Sequence, residues 1–164
     1  MTDTVSDFVL RYGGIYEHSP WVAEQAEPYV DDHEDIEAIA RVMADCVDNA
    51  APERQLELIR AHPDLAGKAQ VAGDLTADSS SEQASAGLDQ CSADEYEQFQ
   101  SLNHQYSEKF GFPFVMAVRG SGRSEILAAF ERRLGNNPAT EFETALSEIH
   151  KIASLRLGLP EAQQ

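Results

Sequence analysis

The chain has 164 residues, enough for one domain with a sizeable core, and its 42% hydrophobic content is ordinary for a globular protein. Its charge is not ordinary: 29 acidic residues against 12 basic ones give a net charge of −17 and leave no basic patch. Nucleic acid and anionic membrane surfaces are thereby excluded as expected partners. The acids are spread along helical patterns, which predicts a solvated acidic surface of the kind a high-salt cytoplasm would explain.

Strand signals are almost absent. A short helix is predicted over Val5 to Arg11, broken by Gly13-Gly14. Ser19-Pro20 reads as an N-cap and first helical residue for a helix running through Ala26. Asp31 to Asp35 is a polar connection. Ile36, Ile39, Ala40, Met43, Val47 and Ala50 then recur at helical spacing. Pro52 opens another helix, with Leu56 and Ile59 on one face. Pro63 biases the residue before it away from the helical basin, so this helix should stop at or near His62. Gly67 to Ser81 is the least regular region. Gly67-Lys68 lacks the other residues of a phosphate loop. Ser79 to Glu82 fits a capping box, as does Ser92 to Glu95, which opens a long helix with Tyr96, Phe99, Leu102, Tyr106 and Phe110 inward. Gly111-Phe112-Pro113 stops it. Phe114 to Val118 is an apolar run, either a buried strand or an extended core segment. A helix with Ile126, Leu127, Phe130 and Leu134 follows Gly120 and Gly122. Thr140 to Glu143 fits a third capping box. It opens a last helix with Phe142, Ala145, Leu146, Ile149, Ile152 and Ala153 on its stripe. The expected fold is all-α, a single compact domain over 1–164 with about seven to eight helices.

Met1 to Gly14 carries acids and no apolar run, so no signal peptide is read there. No stretch approaches the roughly 18 apolar residues of a membrane span, and Glu161 to Gln164 is no peroxisomal address. A cytoplasmic protein is expected. Cys46 and Cys91 form no C-x-x-C unit, and the histidines show no paired ligand spacing. Neither a metal site nor covalent catalysis is indicated.

Four features carry chemistry. His62, at a helix C-terminus beside Pro63, is suited to proton transfer near neutral pH, although a simple helix end would look the same. Arg156 continues the inward stripe of the last helix, three residues after Ala153. A buried guanidinium there needs an acidic partner or an anionic ligand, unless it snorkels to the surface. Glu82 has a structural job as third residue of its box, compatible with a role at a ligand. The peptide groups of Phe114 to Val118 would suit a flat heterocycle, with plain core packing as the other reading.

Several motifs in order give these features a common setting. Gly14-Ile-Tyr-Glu-His-Ser-Pro-Trp-Val-Ala23 is followed by His62-Pro-Asp-Leu-Ala-Gly67, then Ser79-Ser-Ser-Glu-Gln83 and Ala86-Gly-Leu-Asp89. Asn103, Tyr106, Lys109-Phe-Gly-Phe-Pro-Phe-Val115 and Lys151-Ile-Ala-Ser-Leu-Arg156-Leu complete the set. Over nearly its whole length the chain resembles the 2-oxo-4-hydroxy-4-carboxy-5-ureidoimidazoline (OHCU) decarboxylases, which form (S)-allantoin in urate degradation. The resemblance implies an all-helical homodimer needing no metal or organic cofactor. It implies His62 as the catalytic acid and Glu82 as the second catalytic group. It further implies substrate contacts from Pro63, from Ser79, Ser80, Ser81, Glu82 and Gln83, from Phe114, Val115, Met116, Ala117 and Val118, and from Arg156. The chain departs from the family in its acidity and in Met116, where Ile or Val is expected. A non-enzymatic acidic helical interaction domain is the alternative. A related ureide hydrolase would need an activated water that no residue pattern supplies.

Overall fold

The computed structural model describes residues 4–67 and 75–159. Residues 1–3, 68–74 and 160–164 lie outside it, and with them Lys68, the middle of the irregular stretch and both chain ends read for targeting signals. Among the described residues there are eight α-helices, two 3₁₀ turns and no strand. The helices are α1 (Asp7–Tyr12), α2 (Trp21–Ala26), α3 (Ile36–Asp48), α4 (Pro52–Arg60), α5 (Ala77–Ser85), α6 (Ala93–Phe110), α7 (Arg123–Leu134) and α8 (Pro138–Arg156). None among the described residues is long and apolar enough to cross a membrane.

Most helix starts have a visible chemical cause. The Ser6 hydroxyl accepts the Val9 N–H at 3.1 Å, and the Asp35 carboxylate accepts that of Ala38 at 3.1 Å. The Ser92–Glu95 box forms as expected, with reciprocal bonds of 3.1 and 3.0 Å. Gly111, at φ +77°, ends α6 in a left-handed cap.

Three expected starts move. Thr76, not Ser79, caps α5 by accepting the Ser79 N–H at 3.2 Å, so Glu82 lies inside the helix and not in a capping box. Asn137 accepts the Thr140 N–H at 2.8 Å and Pro138 takes the first helical position, one turn ahead of the box read at Thr140. Ser19 caps nothing: its hydroxyl donates to the Glu17 carbonyl at 2.8 Å, and α2 begins at Trp21. For α5 and α8 a second capping candidate stood within a turn of the expected one, whereas α2 starts with no side-chain cap at all.

The residues group into two compact units, one of 1–61 with 150–164 and one of 62–149. In the first, α1 to α4 and the last turns of α8 bury Val22, Ile39, Met43, Val47, Leu58 and Ile59 to 0% exposure. A polar chain crosses it: the Tyr16 hydroxyl lies 2.8 Å from His150 Nδ1, and His150 Nε2 lies 2.9 Å from Asp48 Oδ1. Tyr16 is buried and its phenol is pushed well above its ordinary range, first by desolvation and then by Asp48.

The core of the second unit is aromatic. Phe114 and Phe130 stack with centroids 3.7 Å apart, and Tyr106 meets both edge-on. The run Phe114 to Val118 belongs to neither helix nor strand, so the buried-strand reading fails and a core segment without regular structure stands in its place.

Candidate active site

Helix α4 ends at Arg60 with Ala61 as its C-cap, so the helix stops just short of His62. His62 opens the second unit and is buried, 7% exposed, with Pro63 half-buried beside it. The backbone then turns sharply. Ala66 sits at φ +52° with no exposed surface, a left-handed conformation that residues with a Cβ adopt at a cost. A Cβ on the next residue, Gly67, would come within 2.8 Å of the Asp64 Cβ, which is why glycine stands there.

This loop rests on α5 and α6. The Gln83 side chain accepts the Ala66 N–H at 3.0 Å and donates to the Asp64 carbonyl at 3.2 Å. Gln100 donates to the Ala66 carbonyl at 2.7 Å and Asn103 to the Leu65 carbonyl at 2.9 Å. Ser79, Glu82 and Gln83 are spaced three and four apart on α5, on the face that Gln83 turns to the loop. Ser79 and Gln83 are buried and Glu82 half-buried. Ser80 and Ser81 are exposed, away from that face.

The 114–118 segment is fixed from the next turn of α6. Tyr106, one turn beyond Asn103, packs against the Phe114 ring. The Arg133 guanidinium lies over the same ring at 4.3 Å and donates to the Val115 carbonyl at 2.7 Å. It also bonds Glu141 at 2.8 Å, and Glu141 accepts from the Tyr106 hydroxyl at 2.6 Å and from Asn136 at 2.9 Å. Burial, then the bond to the Glu141 carboxylate, pushes the Tyr106 phenol well above its usual range. The Ala117 N–H donates to Glu148 at 3.2 Å. Phe114, Val115 and Val118 are buried, Met116 and Ala117 half-buried. The side chain of Phe114 is thus core, while part of the segment's backbone is held by charged groups.

Within the second unit, then, His62, Pro63, Ser79, Glu82 and Gln83 belong to adjoining elements, and α6 supports both their loop and the 114–118 segment. Arg156 belongs to the first unit. Its guanidinium, 2% exposed, bonds Glu17 at 3.1 Å and the Ile15 carbonyl at 3.3 Å. The acidic partner that its inward position demanded is Glu17, from the Gly14–Ala23 motif.

Sequence reasoning missed Glu17, Gln100, Arg133, Glu141 and Glu148. Arg133 had a signal: it lies seven residues after Ile126 and three after Phe130, the same inward spacing that singled out Arg156. Both thiols are pushed up, desolvation being the largest cause, which is the reverse of activation for covalent chemistry. Among the described residues no group of three or more His, Cys, Asp or Glu is arranged to hold a metal ion.

Comparison with known proteins adds an independent line. The family model described as OHCU decarboxylase matches residues 3–158. The 2-oxo-4-hydroxy-4-carboxy-5-ureidoimidazoline decarboxylase of Haloferax volcanii is 48% identical over 154 residues, covering 92% of this chain and 87% of its own. The like-named protein of Mus musculus is 40% identical, over 92% and 84%. A crystal structure of (S)-allantoin synthase superposes with a TM-score of 0.70 at 34% identity; it covers 91% of this chain, which spans only 48% of that longer one. A crystal structure of OHCU decarboxylase in the presence of (S)-allantoin gives 0.68 at 27% identity, over 84% and 88%.

Proposed function

The chain belongs to the OHCU decarboxylase family, and from that premise we propose that it converts 2-oxo-4-hydroxy-4-carboxy-5-ureidoimidazoline to (S)-allantoin and CO₂. It is a carboxy-lyase of urate degradation, working without a metal or organic cofactor. The observation that carries the site is the buried His62 at the head of a loop whose peptide groups are gripped one after another beside the Glu82 face of α5. The competing picture of a helical domain in which Glu82 merely caps is weakened, because Thr76 has that job.

The substrate supplies its own electron sink. Its carboxylate is on the carbon next to an imine carbon. As CO₂ leaves, the bonding pair moves between these two ring carbons, and the imine π pair takes a proton at nitrogen. The resulting enol then gains a proton on the former imine carbon and loses its hydroxyl proton, becoming the carbonyl of allantoin. The protein must position the ring, favour the developing charge and protonate one face. His62 delivers protons in this scheme. Glu82 binds the 4-hydroxyl and crowds the departing carboxylate. Pro63, the α5 turn from Ser79 to Gln83 and the backbone of Phe114 to Val118 contact the ring. Arg156, oriented by Glu17, holds a carbonyl or ureido oxygen with its planar fork. One domain over 1–164, a cytoplasmic location and a homodimer complete the proposal.

Conversion of freshly prepared OHCU, followed by circular dichroism of the product, tests this. Accumulation of (S)-allantoin faster than the blank is the expected result. Racemic product at the blank rate would defeat the assignment, since protonation free in solution has no preferred face.

A further inference from the structure

The grip on the loop after His62 is more extensive than folding a short turn requires. Three side-chain amides from two helices hold the peptide groups of three successive residues, Asp64, Leu65 and Ala66. One of those residues is kept in a left-handed conformation. Two of the amides, Gln100 and Asn103, stand three apart on one face of α6.

Asn103 is the telling member. It is 5% exposed; its amide N–H is on the Leu65 carbonyl, and its Oδ1 has no hydrogen-bond partner among the described residues. A buried acceptor without a donor is unfavourable, and an apolar side chain of similar size would pack there without that cost. What the asparagine supplies in exchange is the one bond to Leu65. That bond fixes the chain three residues beyond His62. We infer that Asn103, assisted by Gln100, is a positioning residue for His62, acting through the Leu65 and Ala66 carbonyls to present the imidazole and Pro63 in one conformation. The inference rests on His62 being the acid of the proposed reaction.

A residue that only stabilises the fold would alter melting and leave turnover intact. Asn103→Ala should instead keep its far-UV circular dichroism and a KM within about twofold, while kcat falls by roughly 10- to 100-fold, the scale of a small misplacement of a catalytic group. Gln100→Ala should lower kcat less, by several-fold. Asn103→Asp gives a readout that packing cannot mimic. Ionised, it has no proton to offer Leu65; protonated, it donates again. Because the ionisable groups His62, Asp64 and Glu82 lie on the same elements, the quantity to follow is the variant's kcat divided by that of the wild type at each pH. That ratio should climb as pH falls.

A kcat for Asn103→Ala within twofold of wild type, or a ratio for Asn103→Asp that is flat with pH, overturns the inference. Should Asn103→Ala fail to fold, Gln100→Ala decides, and a kcat within twofold of wild type overturns it equally. The controls separate the two levels. A wild type that does not turn over OHCU defeats the function itself; a competent wild type with equally competent variants defeats only the positioning role.

Discussion

Replacing Arg133 by Leu tests how the 114–118 segment is held. The guanidinium, 6% exposed, faces a Glu141 carboxylate with no exposed surface at 2.8 Å and carries the Val115 carbonyl at 2.7 Å. Leucine fills much of the same volume, so the loss is electrostatic and not a cavity. Glu141 would keep only the Tyr106 hydroxyl and Asn136 as donors. Removing one partner of a buried pair costs about 3–5 kcal/mol, because the other charge stays uncompensated. At roughly 2–4 °C per kcal/mol for a chain of this size, the melting midpoint should fall by about 6–20 °C at neutral pH. Adding Glu141→Leu should restore a large part of the loss, as replacing a buried pair by apolar residues is often near neutral. Thermal melts by circular dichroism of the single and double variants measure both effects. A single variant melting within about 3 °C of wild type, or a double variant no better than the single, would refute the account.

Four further outcomes follow from the site and the surface. His62→Asn should lower turnover by ~10²–10⁴-fold with the helical signal intact, whereas unchanged turnover would make His62 a structural residue. Glu82→Gln should lower kcat with little change in melting, because Glu82 is not the cap of its helix; normal kinetics would remove it from the reaction. Arg156→Lys loses the fork that meets Glu17 and Ile15, so both a raised KM and an earlier melt are expected, and an earlier melt alone would confine Arg156 to the fold. A net charge of −17 implies repulsion that counterions screen, so the melting temperature should rise from low to molar KCl, and a flat curve would mean the charges are balanced locally.

Helical periodicity made the fold legible, because each amphipathic stripe is written within one stretch of chain. Ile39, Met43 and Val47 in α3, and Phe99, Leu102, Tyr106 and Phe110 in α6, are buried as their spacing predicts. Helix starts were less legible where two candidates competed within a turn, as Thr76 with Ser79 and Asn137 with Thr140. The polar interior was least legible. Patterns are counted on apolar residues, so a buried arginine such as Arg133 disappears into the polar background of α7. Its partners come from α6, α8 and the 114–118 segment. Contacts of the candidate site residues have the same character: within the second unit Asn103 reaches Leu65 across 38 positions, and within the first Arg156 reaches Glu17 across 139. No local rule pairs residues at such separations. The motif resemblance named His62, Glu82 and Gln83 but not the residues beneath them.

The chain of Asp48, His150 and Tyr16 has a direction as well as a geometry. An ionised carboxylate can only accept, so Nε2 carries a proton toward Asp48; in a neutral ring Nδ1 then accepts and the phenol donates. A neutral imidazole is thereby held in a single tautomer, and the ring cannot turn over without breaking both bonds at once. In nitrogen-15 spectra the two ring nitrogens should separate into one protonated and one bare resonance. The Tyr16 hydroxyl proton, shut away from solvent, should persist long enough to be observed. Together they give the first unit a spectroscopic fingerprint of its own folded state, readable without any substrate present.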